Sequence, residues 1–186
     1  RSLHEVGAKV TGIGERPQEA LGEIGKWLHR YIRVPSVCHV PSLVQAVKIA
    51  QGESWVDRLE ATVEAHVMAA AEAREATRIP GMNVRQAILC RDKPTMKEFL
   101  RERGIPCAAS TGADNEADVR AFAALHGYPI IIKPRDGAGA AGTFRVDSEA
   151  GLPAVLAASG VLDGRHVAVE EYIEGHEGFY DTLCIN

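Results

Sequence analysis

Apolar and polar positions follow two rhythms along this chain, and the change falls near Val84 and Arg85. In the first stretch, short β-branched runs alternate with helical patterns. Arg1 to Val6 reads as the tail of a helix stopped at Gly7. Ala8 to Gly14 reads as a short strand entering a glycine turn, and Pro17 to Leu28 as a helix. Arg30 to Val34 suits a strand closed by Pro35, and Ser42 can cap a helix over Leu43 to Gln51. Val56 to Val63 alternates apolar and polar residues, which predicts a strand. The alanine-rich run from Ala65 to Thr77 predicts a helix, broken at Ile79-Pro80-Gly81. This βαβα order implies a parallel, Rossmann-like sheet, so residues 1–84 read as one α/β domain.

Residues 85–186 read differently. Helices are expected over Pro94 to Arg103, with Asp92 as cap and Gly104 beyond its end, and over Asp114 to His126. On the second, Val119, Phe122, Ala123 and Leu125 are expected on one side. Tyr128 to Pro134 and Thr143 to Val146 read as partner strands. Ser148 to Ala158 reads as a helix interrupted near its start by Pro153, and Val167 to Tyr172 and Gly178 to Ile185 as further strands. The region is therefore α+β with an antiparallel component. The seam is expected between Gly81 and Arg91. Repeats and low-complexity segments are absent from the sequence.

Composition narrows the function classes. The 186 residues are 46% hydrophobic and 25% charged, as in ordinary globular domains. The net charge of −4 and scattered basic residues argue against a nucleic-acid footprint. No apolar stretch approaches the ~20 residues a membrane span needs, and the start carries no signal-peptide pattern. Cys38, Cys90, Cys107 and Cys184 are widely spaced, form no CxxC, and share no metal spacing with the histidines. Buried thiols in a reducing cytoplasm are the simple expectation.

The chemistry concentrates in two clusters. Ile130-Ile131-Ile132-Lys133-Pro134 runs into Arg135-Asp136-Gly137-Ala138-Gly139-Ala140-Ala141-Gly142-Thr143. Small residues let main-chain N–H groups approach a phosphate that a lysine can reach. The P-loop order is excluded, because Lys133 precedes the glycines. A β-hairpin with a glycine turn and a surface lysine is the plain alternative. The second cluster is Val167-Ala168-Val169-Glu170-Glu171-Tyr172-Ile173-Glu174-Gly175-His176-Glu177. A dinucleotide site is disfavoured, because Gly12-Ile13-Gly14 lacks the third glycine of the fingerprint.

Together with Arg91-Asp92-Lys93-Pro94 and Gly104-Ile105-Pro106, these clusters resemble the ATP-grasp superfamily in type and order. The resemblance covers nearly the whole chain. Residues 1–84 look like the domain that precedes the ATP-grasp module, and residues 85–186 like the first half of that module. Both ends look cut from a larger protein. The resemblance implies ATP binding and activation of a carboxylate as an acyl phosphate, which an amine or similar nucleophile then displaces. It implies that Lys133 and Lys93 face phosphates and that Gly137, Gly139, Gly142 and Thr143 belong to a lid over them. It implies that the main chain of Glu170 and Ile173 reads adenine, flanked by Glu171 and Tyr172, and that Glu177 holds the ribose. For Glu170 and Glu171 the plain alternative is a solvated strand face. Arg135 can bind phosphate or pair with Asp136, and the sequence does not choose.

The resemblance also implies Mg²⁺, held by ligands expected beyond Asn186, so the chain by itself is expected to be catalytically incomplete. Expected partners are ATP and a small-molecule carboxylate, with room for a homodimer and with neither nucleic acid nor membrane. Two other readings stay open. One is bicarbonate activation of the biotin-carboxylase type, mildly disfavoured by the short glycine loop. The other is an ATP-binding sensor or scaffold without catalysis.

Overall fold

The computed structural model describes residues 1–135, 142–176 and 178. Its contacts divide into two units, Arg1–Cys90 and Arg91–Asn186.

In the first unit a short helix α1 (Ser2–Glu5) precedes β1 (Thr11–Gly14). Residues Gln18–Trp27 then form a 3-10 run rather than the expected α-helix. The run is broken at Gly22, whose positive φ cannot continue a helical turn. β2 (Arg30–Arg33) pairs parallel with β1, from Thr11 opposite Arg30 to Gly14 opposite Arg33. α2 (Val40–Gln51) starts earlier than expected. Pro41 is tolerated in its first turn, and Ser42 lies inside the helix, where its Oγ is 2.8 Å from His39 Nδ1. α3 (Val67–Thr77) packs its alanines on α2, and Leu43, Ala69 and Ala73 form the core beneath Ile13 and Leu59.

Two expectations fail in this unit. Val56 to Val63 forms no strand. Its Leu59 packs on the helical core, and its Leu59 carbonyl accepts from the buried Arg74 guanidinium at 2.6 Å. Alternation alone cannot make a strand without a neighbour to pair with. The interval after Pro80 contains α4 (Val84–Arg91), which the weak apolar periodicity there does not signal. Cys38 and Cys90 are exposed and Cys107 half-buried, so the expectation of buried thiols does not hold for these three.

The second unit opens with α5 (Lys93–Glu102). β3 (Ser110–Ala113), α6 (Glu116–His126), β4 (Ile130–Pro134), β5 (Phe144–Val146), α7 (Leu152–Ser159) and β6 (Val167–Glu171) follow. The four strands make an antiparallel sheet in the order β3-β6-β4-β5. β3 was not foreseen, because Ser110-Thr111-Gly112-Ala113 has no large apolar residue to mark it. Pro153 does not interrupt a helix but sits in the first turn of α7, where its missing N–H costs nothing. The expected strand over Gly178 to Ile185 falls almost wholly outside the described residues.

Side chains alternate across a strand, and here the two faces differ in kind. Ile130, Ile132, Val167 and Val169 point into the core, against Val119, Phe122 and Ala123 of α6 and Leu152 and Leu156 of α7. Leu125 lies off that helix face and is 78% exposed, contrary to expectation. Register places Ser110, Glu170 and Ile131 side by side on the opposite face, with Gly112, Ala168 and Lys133 in the next row. α5 packs on the sheet at β3 and reaches this second face through Lys97. No described helix is long and apolar enough to cross a membrane.

Candidate functional site

The site is built on the second face of the antiparallel sheet. Glu170 sits in β6, the strand between β3 and β4, and its side chain is 8% exposed. Its Oε1 lies 2.7 Å from Lys133 Nζ on β4, and its Oε2 lies 2.8 Å from Lys97 Nζ on α5. The solvated-face alternative for Glu170 is therefore wrong. Burial alone pushes this carboxyl up, but the Lys133 and Lys97 ammonium groups outweigh it and hold Glu170 below its ordinary value. The cluster of one carboxylate and two ammonium groups carries one net positive charge in a poorly solvated place.

α5 owes its start to Asp92. The Asp92 carboxylate accepts from the Thr95 N–H at 3.1 Å, a side-chain cap on an orphan donor. The same carboxylate receives both arms of Arg135, with Nε and Nη2 each at 3.0 Å. Burial raises the Asp92 carboxyl, and the hydrogen bonds from Arg135 and Thr95 more than offset this, so it lies below its ordinary value. The Arg135 guanidinium is raised by its bond to Asp92. Arg135 thus pairs with Asp92, a partner that its sequence neighbourhood did not suggest. Gly112 lies beneath the guanidinium, where a Cβ would stand 3.0 Å from Nη1.

The expected site residues fall as follows. Lys93 is the first residue of α5, and its Nζ donates to the Arg135 carbonyl at 3.3 Å. Lys133 sits at the sheet face with Glu170. Gly142 has a left-handed φ of 71° and abuts Pro134, a place where a Cβ would meet the ring at 3.2 Å. Thr143 is exposed just before β5. Glu170 lies inside the ladder, opposite Ser110 on one side and Ile131 on the other, so its main chain is committed to the sheet. Its carboxylate, not its carbonyl, is the group it presents. The Glu171 N–H donates to Ala109 O at 3.0 Å, and the Tyr172 N–H to Pro129 O at 3.1 Å. Arg145 stacks its guanidinium 4.0 Å above the Tyr172 ring. Ile173 lies past the strand end and is 60% exposed. Gly137, Gly139 and Glu177 lie outside the described residues.

The sequence reading missed Lys97. Its signal was available, since it stands four residues after Lys93 on one helix and so shares a face with it. Among the described residues, no group of three or more His, Cys, Asp or Glu side chains could hold a metal ion. An open cleft of about 730 Å³, partly lined by Arg135, Arg165 and His166, lies near the start of β6.

Comparison with known proteins places this arrangement. Residues 92–178 match the family described as carbamoyl-phosphate synthase L chain, ATP binding domain. The chain is 35% identical over 102 residues to a D-alanine–D-alanine ligase of Sodalis glossinidius, covering 52% of this chain and 27% of that protein. It is 30% identical over 132 residues to the L-arginine-specific L-amino acid ligase of Bacillus subtilis, covering 68% of this chain and 32% of that one. The chain thus spans under a third of each of these two relatives. The fold superposes on N5-carboxyaminoimidazole synthetase from Staphylococcus aureus, solved with ADP. The TM-score is 0.72 at 20% identity, over 92% of this chain and 43% of that one. It matches equally the biotin carboxylase domain of Hydrogenobacter thermophilus 2-oxoglutarate carboxylase, solved with MgADP. There the TM-score is 0.72 at 19% identity, over 94% of this chain and 41% of that one. Residues 92–178, just under half of the chain, thus match an ATP-binding domain of the ATP-grasp type.

Proposed function

We propose that this chain supplies the nucleotide-binding part of an ATP-dependent ligase that joins a carboxylate to an amine or similar nucleophile. The observation that carries the reading is the Glu170 carboxylate lodged between Lys97 and Lys133, with Lys133 shortly before the glycine-rich run in sequence. In this reading Lys93, Lys97 and Lys133 meet the phosphates, with main-chain N–H groups of the run from Gly137 to Thr143. Glu171, Tyr172 and Ile173 line the base, and Glu177 holds the ribose. Residues 1–84 serve as the domain preceding the module.

The chemistry follows from what a carboxylate lacks. Its oxygen is a poor leaving group, so an amine cannot displace it. Attack of that oxygen on the γ-phosphorus breaks the bond to the β-phosphate oxygen and releases ADP. The acyl phosphate then accepts the amine at its carbonyl carbon and releases inorganic phosphate. The lysines offset charge that shifts toward the β-phosphate as ADP departs, in a place where water is scarce. Mg²⁺ is expected with the nucleotide, and the described side chains supply no cluster of three or more carboxylates, histidines or cysteines for it.

The two ligase relatives carry amino-acid ligase names, which makes amino-acid-like carboxylates candidates beside bicarbonate. The test is phosphate release from Mg·ATP by the full-length protein, with carboxylic acids, amino acids and bicarbonate, each with and without amines. Release that depends on one acid and one amine supports the ligase. Release with bicarbonate and biotin moves the reading to a carboxylase. ATP binding without any release moves it to a sensor. Lys133→Ala is expected to weaken ATP binding by about tenfold or more, through loss of a charge-assisted contact. Equal binding by variant and wild type would remove Lys133 from the site.

A further inference from the structure

We propose that Asp92 and Arg135 form a positioning clamp that sets the distance between the lysines of α5 and the strand carrying Lys133, and that the clamp serves a polyphosphate. This rests on the nucleotide reading above. The pair joins residues 43 positions apart through a two-pronged contact, Nε to Oδ1 and Nη2 to Oδ2, both at 3.0 Å. Such a fork fixes orientation as well as distance, which a single lysine contact does not. A second stitch lies beside it, from Lys93 Nζ to the Arg135 carbonyl at 3.3 Å.

The location gives the clamp its consequence. Arg135 directly follows β4, the strand that carries Lys133, and stands two positions before Gly137 in sequence. Asp92 is the first residue before α5, which carries Lys93 and Lys97. The cations of the site therefore come from two elements far apart in sequence, and the fork ties their ends together. Gly112 keeps the space beneath the guanidinium clear, because a Cβ there would lie 3.0 Å from Nη1. The side chains are 35% and 22% exposed, so the fork is partly shielded from water. A ligand with two or three phosphates must meet both elements at once and so reads their spacing. A monophosphate need not.

Asparagine separates the two duties of Asp92. It caps a helix as well as aspartate does, but it cannot accept a charged fork. The experiment measures calorimetric dissociation constants of the full-length protein for ADP and for AMP. The variants are Asp92→Asn, Arg135→Gln, Arg135→Lys and the double Asp92→Asn/Arg135→Gln. Each single change is expected to weaken ADP about tenfold while AMP shifts by no more than about twofold. The double variant is expected to be no weaker than the weaker single, as for two halves of one contact. Arg135→Lys is expected to behave like Arg135→Gln, because charge without the fork does not set the spacing. Unchanged ADP binding in Asp92→Asn, equal losses for ADP and AMP, losses that multiply in the double, or recovery with lysine would each overturn the clamp. A wild-type protein that binds neither nucleotide would overturn the nucleotide reading and the clamp with it, whereas wild-type binding with unaltered variants overturns the clamp alone.

Discussion

Glu170 Oε1 stands 2.7 Å from Lys133 Nζ, and the two belong to neighbouring antiparallel strands, two register positions apart on the same face. With Lys97 on the other oxygen, Glu170 cancels one of two positive charges that α5 and β4 bring to the same place. A nucleotide whose phosphates took over these lysines would leave Glu170 to find another donor.

Glu170→Gln should destabilise the protein by about 3 kcal/mol near neutral pH, because two lysines are left close together and poorly solvated. The pH dependence has a definite sign. The Glu170 carboxyl lies below its unfolded value, so its contribution is full above the ordinary carboxylate range and is lost as pH falls through the lower, folded value. Urea unfolding at stepped pH should therefore show a smaller gap between wild type and Glu170→Gln as acidity increases. A gap that stayed constant into acid would separate Glu170 from this role.

An apolar residue in the core of the second unit and one on its surface should respond differently. Ile132 is fully buried in the core, and truncation to alanine should cost about 3 kcal/mol in unfolding free energy. Leu125 on α6 is 78% exposed, and its truncation should cost less than about 0.5 kcal/mol. Denaturant midpoints of Ile132→Ala and Leu125→Ala test the assignment of faces directly.

Ile173 lies two residues beyond the last ladder residue, Glu171, and is 60% exposed. If its main-chain N–H donates to the base, Ile173→Val should leave the ADP dissociation constant unchanged, while Ile173→Pro, which lacks the N–H, should raise it about tenfold. Isothermal titration of both variants decides this. Equal binding by the proline variant would place the base elsewhere.

Much of the second unit could be read directly. The apolar runs around Ile130 and Val167 mark central strands because a buried strand must be apolar on at least one face. Asp92 before a helical run marks a cap for the same local reason. What escaped was settled by distant neighbours. Ser110-Thr111-Gly112-Ala113 becomes a strand because β6 offers an edge to pair with, and its Gly112 makes room for Arg135. Val56 to Val63 has the right alternation and no strand beside it. Lys97 reads as one more helix-surface lysine until β6 brings Glu170 against it.

The sequence by itself determined the family resemblance, the antiparallel component and the positions of Lys93, Lys133 and Glu170, since these rest on local spacing and on the period of apolar residues. Only the tertiary structure decided that Glu170 is buried between two lysines, that Arg135 turns to Asp92, and that the main chain of Glu170 is taken up by the sheet. The reason is physical. Charge pairing and strand pairing join groups that are tens of residues apart in the chain, and neither leaves a mark on the residues in between.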